Sequence, residues 1–161
     1  MTAFDKYLHA IIVRGEQEAR DDGSAAVEAR HLLLAIAGER ETTTQQVLAS
    51  VGLDHRATRD ALDREFAHSL STVGVSRAAF DLPRPSNAPA HPKMGASAKL
   101  ALERGFASVA RKKDLRPAHL LLGILRAQAG TVPRALALAG IDQADLTARV
   151  LRTLTNEGEQ R

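Results

Sequence analysis

Apolar residues recur at helical spacing along most of this chain, and strand-like alternation is absent from any long stretch. Phe4, Leu8, Ile11, Ile12 and Ala19 form one stripe, which predicts a helix over about 4–21 with Thr2 placed to cap it. Asp22-Gly23-Ser24 breaks that pattern. A short helix is expected over 29–37 and another over 43–51, stopped by Gly52. Asp54 is placed to cap a fourth, which carries Ala57, Ala61, Leu62 and Phe66. The same succession returns over about 95–112, 117–127, 132–139 and 143–153. Pro117 suits a first helical turn, as does Pro133 behind Thr131 as a cap, and Asp142 with Asp145 gives the last helix an acidic start. The fold class expected is all-α, a bundle of eight helices.

The two halves are copies of one unit. His31-Leu32-Leu33-Leu34-Ala35-Ile36 returns as His119-Leu120-Leu121-Leu122-Gly123-Ile124, and 10 of the 24 positions from His31 to Asp54 are identical 88 residues later. A shift of 90 aligns the preceding helices, matching Phe4 with Met94, Ile12 with Leu102 and Gly15 with Gly105. Fixed-period self-similarity is the mark of duplication. Four helices per copy then form a pseudo-two-fold bundle. Its core is expected to hold Leu33, Leu34, Ile36 and Leu48, with their mates Leu121, Leu122, Ile124 and Leu136. The boundaries expected are a first repeat over 1–68, a connector over 69–93, a second repeat over 94–155 and a polar, fraying tail over 156–161. Both repeats build one compact domain. The connector holds Pro83, Pro85, Pro89 and Pro92, with Val73, Val75, Phe80 and Leu82 available to pin it to the surface.

Composition narrows the chemistry. With no cysteine in 161 residues, disulfides, thiol nucleophiles and cysteine-based zinc sites are excluded. The histidines His9, His55, His68 and His91 show no ligand spacing, so neither metal nor cofactor is expected. There is no glycine-rich phosphate loop ending in Gly-Lys-Ser/Thr. No stretch approaches the ~20 apolar residues of a membrane span. The first helix carries Asp5, Glu16 and Glu18, unlike a signal or transit peptide, which points to a cytoplasmic protein. Charge is unevenly divided: net −4 over residues 1–66 and +6 over 94–154. Arg111-Lys112-Lys113 with Arg116 is the compact basic run.

The duplicated His-Leu-Leu-Leu helix and the leucine-x-x-x-Gly-h-Asp turn that follows it resemble the N-terminal domain of Clp ATPases, of the ClpC/ClpA type. The resemblance covers about residues 1–155, without the ATPase modules. It implies a non-catalytic module that docks adaptors and substrates of an unfoldase, as a monomer. Partners implied are components of the Clp protease system, adaptor or substrate proteins, or a cyclic peptide antibiotic. Such a module modulates proteolysis or sequesters the antibiotic.

Some members of that family bind phosphoarginine through a Thr-Glu pair before the second-helix histidine. Here Ala29-Arg30 precedes His31 and Pro117-Ala118 precedes His119, so Arg30 and Ala118 argue against that ligand. The family's groove phenylalanines correspond to Met1, Phe4 and Met94. The peptide groove is therefore expected to be lined by Met1, Phe4, Lys6, Tyr7, Arg30 and Met94. His31 and His119 are expected to be structural, each able to hydrogen-bond a neighbouring loop or helix end. The alternative function is a nucleic-acid-associated regulator, which requires the basic residues of the second repeat to form one stripe. A hydrolase or transferase lacks a catalytic constellation in this sequence.

Overall fold

The computed structural model describes residues 1–74 and 89–160. These residues form eight α-helices: α1 (Ala3–Asp21), α2 (Ala29–Gly38), α3 (Thr43–Ser50), α4 (His55–Thr72), α5 (Ala96–Ala107), α6 (Pro117–Leu125), α7 (Thr131–Leu138) and α8 (Gln143–Glu159). Thr2 caps α1, with its side chain accepting from the Asp5 amide and the Asp5 carboxylate accepting from the Thr2 amide. Asp54 and Asp142 cap α4 and α8. Gly52 and Gly140, at φ +81° and +73°, end α3 and α7.

α2 and α6 are the apolar centre of each repeat. His31 to Ala37 and Ala118 to Leu125 are buried throughout, as helices packed on all sides must be. The eight leucines and isoleucines expected in the core are all buried, none more than 5% exposed. α1 lies on α2 as α5 lies on α6, and α4 packs on α7 as α3 packs on α8. The repeats therefore interlock by the symmetry that the duplication predicts. At the α5–α6 crossing the backbones meet: a Cβ on Gly123 would stand 2.0 Å from the Ala101 carbonyl oxygen.

Several local expectations are corrected. α5 ends at Ala107, short of residue 112: Ser108 turns its hydroxyl onto the Gly105 carbonyl at 2.5 Å, and a 3-10 turn, Lys112–Asp114, then brings Leu115 to the core. Thr131 lies inside α7, because Gly130 at φ +111° takes the capping position. α8 continues to Glu159, where a fraying tail was expected. Leu154 packs against the core, and Arg116 Nη1 reaches the Leu154 carbonyl at 3.4 Å and Glu157 at 3.5 Å. α4 runs to Thr72, past the expected start of the connector, and leaves Val73 exposed. Val75, Phe80 and Leu82 lie outside the described residues.

Two two-residue strands, β1 (Ala26–Val27) and β2 (Lys93–Met94), pair in parallel across the repeats. No periodicity can announce an element that short. The Gly95 amide extends the pairing, donating to the Val27 carbonyl at 2.8 Å.

Candidate functional site

The two repeat histidines hold the turns that lead into α2 and α6. His31 is fully buried. Its Nδ1 accepts from the Glu28 amide at 2.8 Å, so the proton of the neutral ring sits on Nε2, which donates to Asp22 at 2.7 Å. Burial alone would raise the Asp22 carboxyl. Hydrogen bonds from His31 and Ser24, with the neighbouring Arg30 charge, instead bring it down to about 2. His119 repeats half of this, its Nδ1 accepting from the Arg116 amide at 2.9 Å. Position 110, where an Asp22 mate would stand, is alanine. Burial and the neighbouring Arg116 charge hold the His119 ring below its ordinary value.

The residues expected in the groove fall at two ends of the molecule. Phe4, in the first turn of α1, sets its ring edge-on to Phe106 in the last turn of α5, with centroids 6.4 Å apart. Beside this pair lies a cavity of about 490 Å³, bordered by Thr2, Phe4, Asp5, Lys112, Lys113 and Leu115. Met1 is 85% exposed, Phe106 is 40% exposed, and Lys6 is exposed on the same first turn of α1. Asp5 is the carboxylate on this rim, and the Lys112 charge reaches it.

Met94 belongs to the other end. It sits in β2, partly buried against the core, directly before α5. The 12 residues separating it from Phe106 correspond to ~18 Å of helix, so Phe4 and Met94 are not neighbours. Arg30 is also at that end, donating to Ser24 at 2.9 Å and standing 3.6 Å from Asp22. Tyr7 is drawn inward. Its hydroxyl meets Thr44 at 2.8 Å, and burial, only partly offset by that bond, pushes it up to about 12.

Phe106 was not assigned a role from sequence, although a signal existed. It lies at the end of a helix whose inner positions Ala98, Ala101 and Gly105 fix the buried face, which leaves Phe106 off that face.

Much of the second repeat's positive charge is engaged. Arg111 pairs with Asp114, Arg116 with Glu157, Arg134 with Glu65 and Arg149 with Asp145. Among the described residues no group of three His, Asp or Glu side chains is set to hold a metal, and no helix is long and apolar enough to cross a membrane.

Interlocked helical repeats with a buried histidine opening each second helix define the class: a double-repeat, all-α bundle. Residues 3–104 match the Clp repeat (R) N-terminal domain, and the chain belongs to that family. It is 26% identical over 149 residues to the chloroplastic chaperone protein ClpC2 of Arabidopsis thaliana, covering 92% of this chain and 14% of that protein. The ClpA homolog CD4B of Solanum lycopersicum, a chloroplastic ATP-binding subunit of the ATP-dependent Clp protease, is likewise 26% identical, with 15% of its length covered. The chain thus spans about one-seventh of the length of these relatives. The crystal structure of the N-terminal domain of ClpD, a caseinolytic protease associated chaperone from Arabidopsis thaliana, superposes with a TM-score of 0.64 at 21% identity. That match covers 91% of this chain and 93% of that one, and it establishes the shared fold.

Proposed function

We propose that the chain is a non-catalytic docking module for the Clp system that seats an apolar, acid-flanked segment of an adaptor or substrate where α1 begins and α5 ends. The carrying observation is the half-open Phe4–Phe106 pair beside a cavity edged by Lys112 and Lys113. Aromatic rings give an apolar side chain a place to bury, and the two lysines, which outnumber the Asp5 carboxylate on the same rim, select the flanking charge. Met1 can close over the ligand from the N-terminal side, its thioether adapting to irregular shapes. A cyclic, aromatic-rich peptide antibiotic presents similar apolar surface and is expected to compete for the same face.

Phosphoarginine fits poorly. Arg30 stands where the family resemblance calls for an acid, and like charges would meet there. Nucleic-acid binding is disfavoured because four of the second repeat's arginines are already paired with carboxylates.

The test is an amide-resolved NMR titration with two peptides that share one aromatic residue but carry Asp/Glu or Lys/Arg flanks. The acidic peptide is expected to shift Phe4, Phe106 and Lys112–Leu115. Equal binding of both peptides, or shifts confined to other helices, would contradict this reading.

A further inference from the structure

The outer face of α8 carries an exposed seam. Ala144, Ala148, Leu151 and Thr155 follow one another at intervals of four, three and four residues, the spacing that keeps one stripe turned towards a neighbouring helix. Leu151 is 41% exposed, and Ala144 and Thr155 are exposed with it. A groove of about 590 Å³ runs along this stripe, where Gln143, Thr147 and the end of α6 at Leu125 form its other wall. Arg126 is the charged residue in the lining, and it is exposed. The groove shares no lining residue with the Phe4 cavity.

The corresponding face of the first repeat is charged. At positions 88 residues earlier, α4 holds Arg56, Asp60 and Asp63 in the places of Ala144, Ala148 and Leu151. His55 and Arg59, the mates of Gln143 and Thr147, are bound there to Glu18 of α1. The shared fold therefore does not require an apolar stripe at these positions, because the copy without one adopts the same four helices.

Charge decides what fits the seam. Asp145 and Arg152 flank it on one side, seven residues and ~10.5 Å apart along the helix. Arg152 is exposed and forms no ion pair among the described residues. Arg149 Nε holds Asp145 Oδ2 at 3.0 Å, which leaves Oδ1 for a second cation. A two-fold axis across the seam reverses the direction of the helix and keeps the flank on the same side. Asp145 of one copy then stands opposite Arg152 of the other, and the pair occurs twice. A parallel arrangement would bring the flank against the neutral Gln143–Thr147 side and form neither pair.

We propose that α8 is a dimerisation helix, which packs antiparallel on α8 of a second copy of this chain. Leu151 of each copy inserts among Ala144, Thr147 and Ala148 of the other, the alanines let the helices approach closely, and two Asp145–Arg152 pairs set the register. Three turns of seam, ~17 Å of helix, make a small interface, so the dimer is weak, with a dissociation constant on the order of 100 µM. The seam is separate from the Phe4–Phe106 face and does not rest on the docking reading given above.

The test is sedimentation equilibrium of the full chain from about 10 µM to about 1 mM, which brackets that constant. The average mass is expected to climb from 17.3 kDa towards twice that value. Arg152→Asp and Asp145→Arg each set like charges across the seam, and each is expected to weaken association at least about 10-fold. An equimolar mixture of the two variants should recover the parent's association, because one copy then carries both cations and the other both anions. Loss of folding cannot be rescued by mixing, so recovery separates the interface from stability. Ala148→Glu, which sets two carboxylates at the two-fold axis, should stay monomeric with its helical circular dichroism unchanged. A parent that remains monomeric up to about 1 mM would overturn the proposal. So would dimerisation undiminished in Ala148→Glu, or a mixture no more associated than its two components.

Discussion

The Glu28 carboxylate caps a helix of the opposite repeat: it accepts from the Ser97 hydroxyl and from the Ser97 amide at 3.3 Å. Ser97 returns the bond, its Oγ accepting from the Ala29 amide at 2.8 Å. The N-terminus of α5, whose own Gly95 lacks a capping side chain, is therefore closed by the first repeat. At the duplicated position, 88 residues on, Arg116 reaches the end of α8 instead. The duplicated position thus carries an acid at a positive helix end in one repeat and a base at a negative one in the other. Glu28→Ala is expected to cost about 1 kcal/mol, the usual worth of a cap, and to lower the melting temperature by several degrees. Glu28→Gln should recover part of it. A calorimetric melt of the three proteins checks the order.

The α5–α6 crossing is the tightest backbone contact that glycine secures. A methyl at Gly123 would stand 2.0 Å from the Ala101 carbonyl and 2.8 Å from the Gly105 amide nitrogen. Both neighbours are backbone and cannot rotate aside. Gly123→Ala is expected to destabilise by roughly 2 kcal/mol or more, despite the better helix propensity of alanine. In the first repeat the corresponding residue is already Ala35, so Ala35→Gly should cost only about 1 kcal/mol. Denaturant midpoints of the two variants check the contrast.

Leu122 is 1% exposed inside α6, whereas Leu151 on α8 is 41% exposed. Leu122→Ala is expected to cost about 2–5 kcal/mol and Leu151→Ala well under 1 kcal/mol. Urea unfolding of both proteins measures the difference.

Acid should weaken the first repeat through Asp22. The folded carboxyl lies at about 2, below an ordinary value of 3.8, so its contribution is complete above about pH 4 and is lost as pH falls towards 2. Asp22→Asn removes that contribution and should flatten the acid limb of stability between those values. His119 acts in the same direction at higher pH. Its ring titrates below the ordinary 6.5, so the folded state loses ground as pH drops below that value. His119→Gln is expected to reduce the slope below pH 6.5. Stability measured across pH 2–7 resolves both contributions.

The fold was largely legible because its determinants are periodic and duplicated. The buried faces of α2 and α6, the stops at Gly52 and Gly140 and the caps Thr2, Asp54 and Asp142 each rest on local spacing. Local spacing failed where a distant contact decides the outcome. α8 outruns its apolar pattern because Arg116 and the core hold residues 154–157, and α5 stops early because Ser108 and Leu115 redirect the chain. The binding face was harder to read. Homologous positions in a pseudo-symmetric bundle lie at opposite ends, so matching Phe4 with Met94 named symmetry mates rather than neighbours. The residue that meets Phe4 is Phe106, which no alignment of the two repeats brings to it.

A working docking face requires both that aromatic pair and its lysine edge. The most direct measurement is the affinity of a fluorescent, acid-flanked aromatic peptide for the parent, for Phe106→Ala and for Lys112→Glu/Lys113→Glu. Phe106 is 40% exposed, so its truncation should leave the fold nearly unchanged while removing about half of the aromatic surface. Binding is expected to weaken roughly 10-fold in Phe106→Ala and in the charge reversal, with the latter's effect fading at high salt. Unchanged affinity in both folded variants would contradict it.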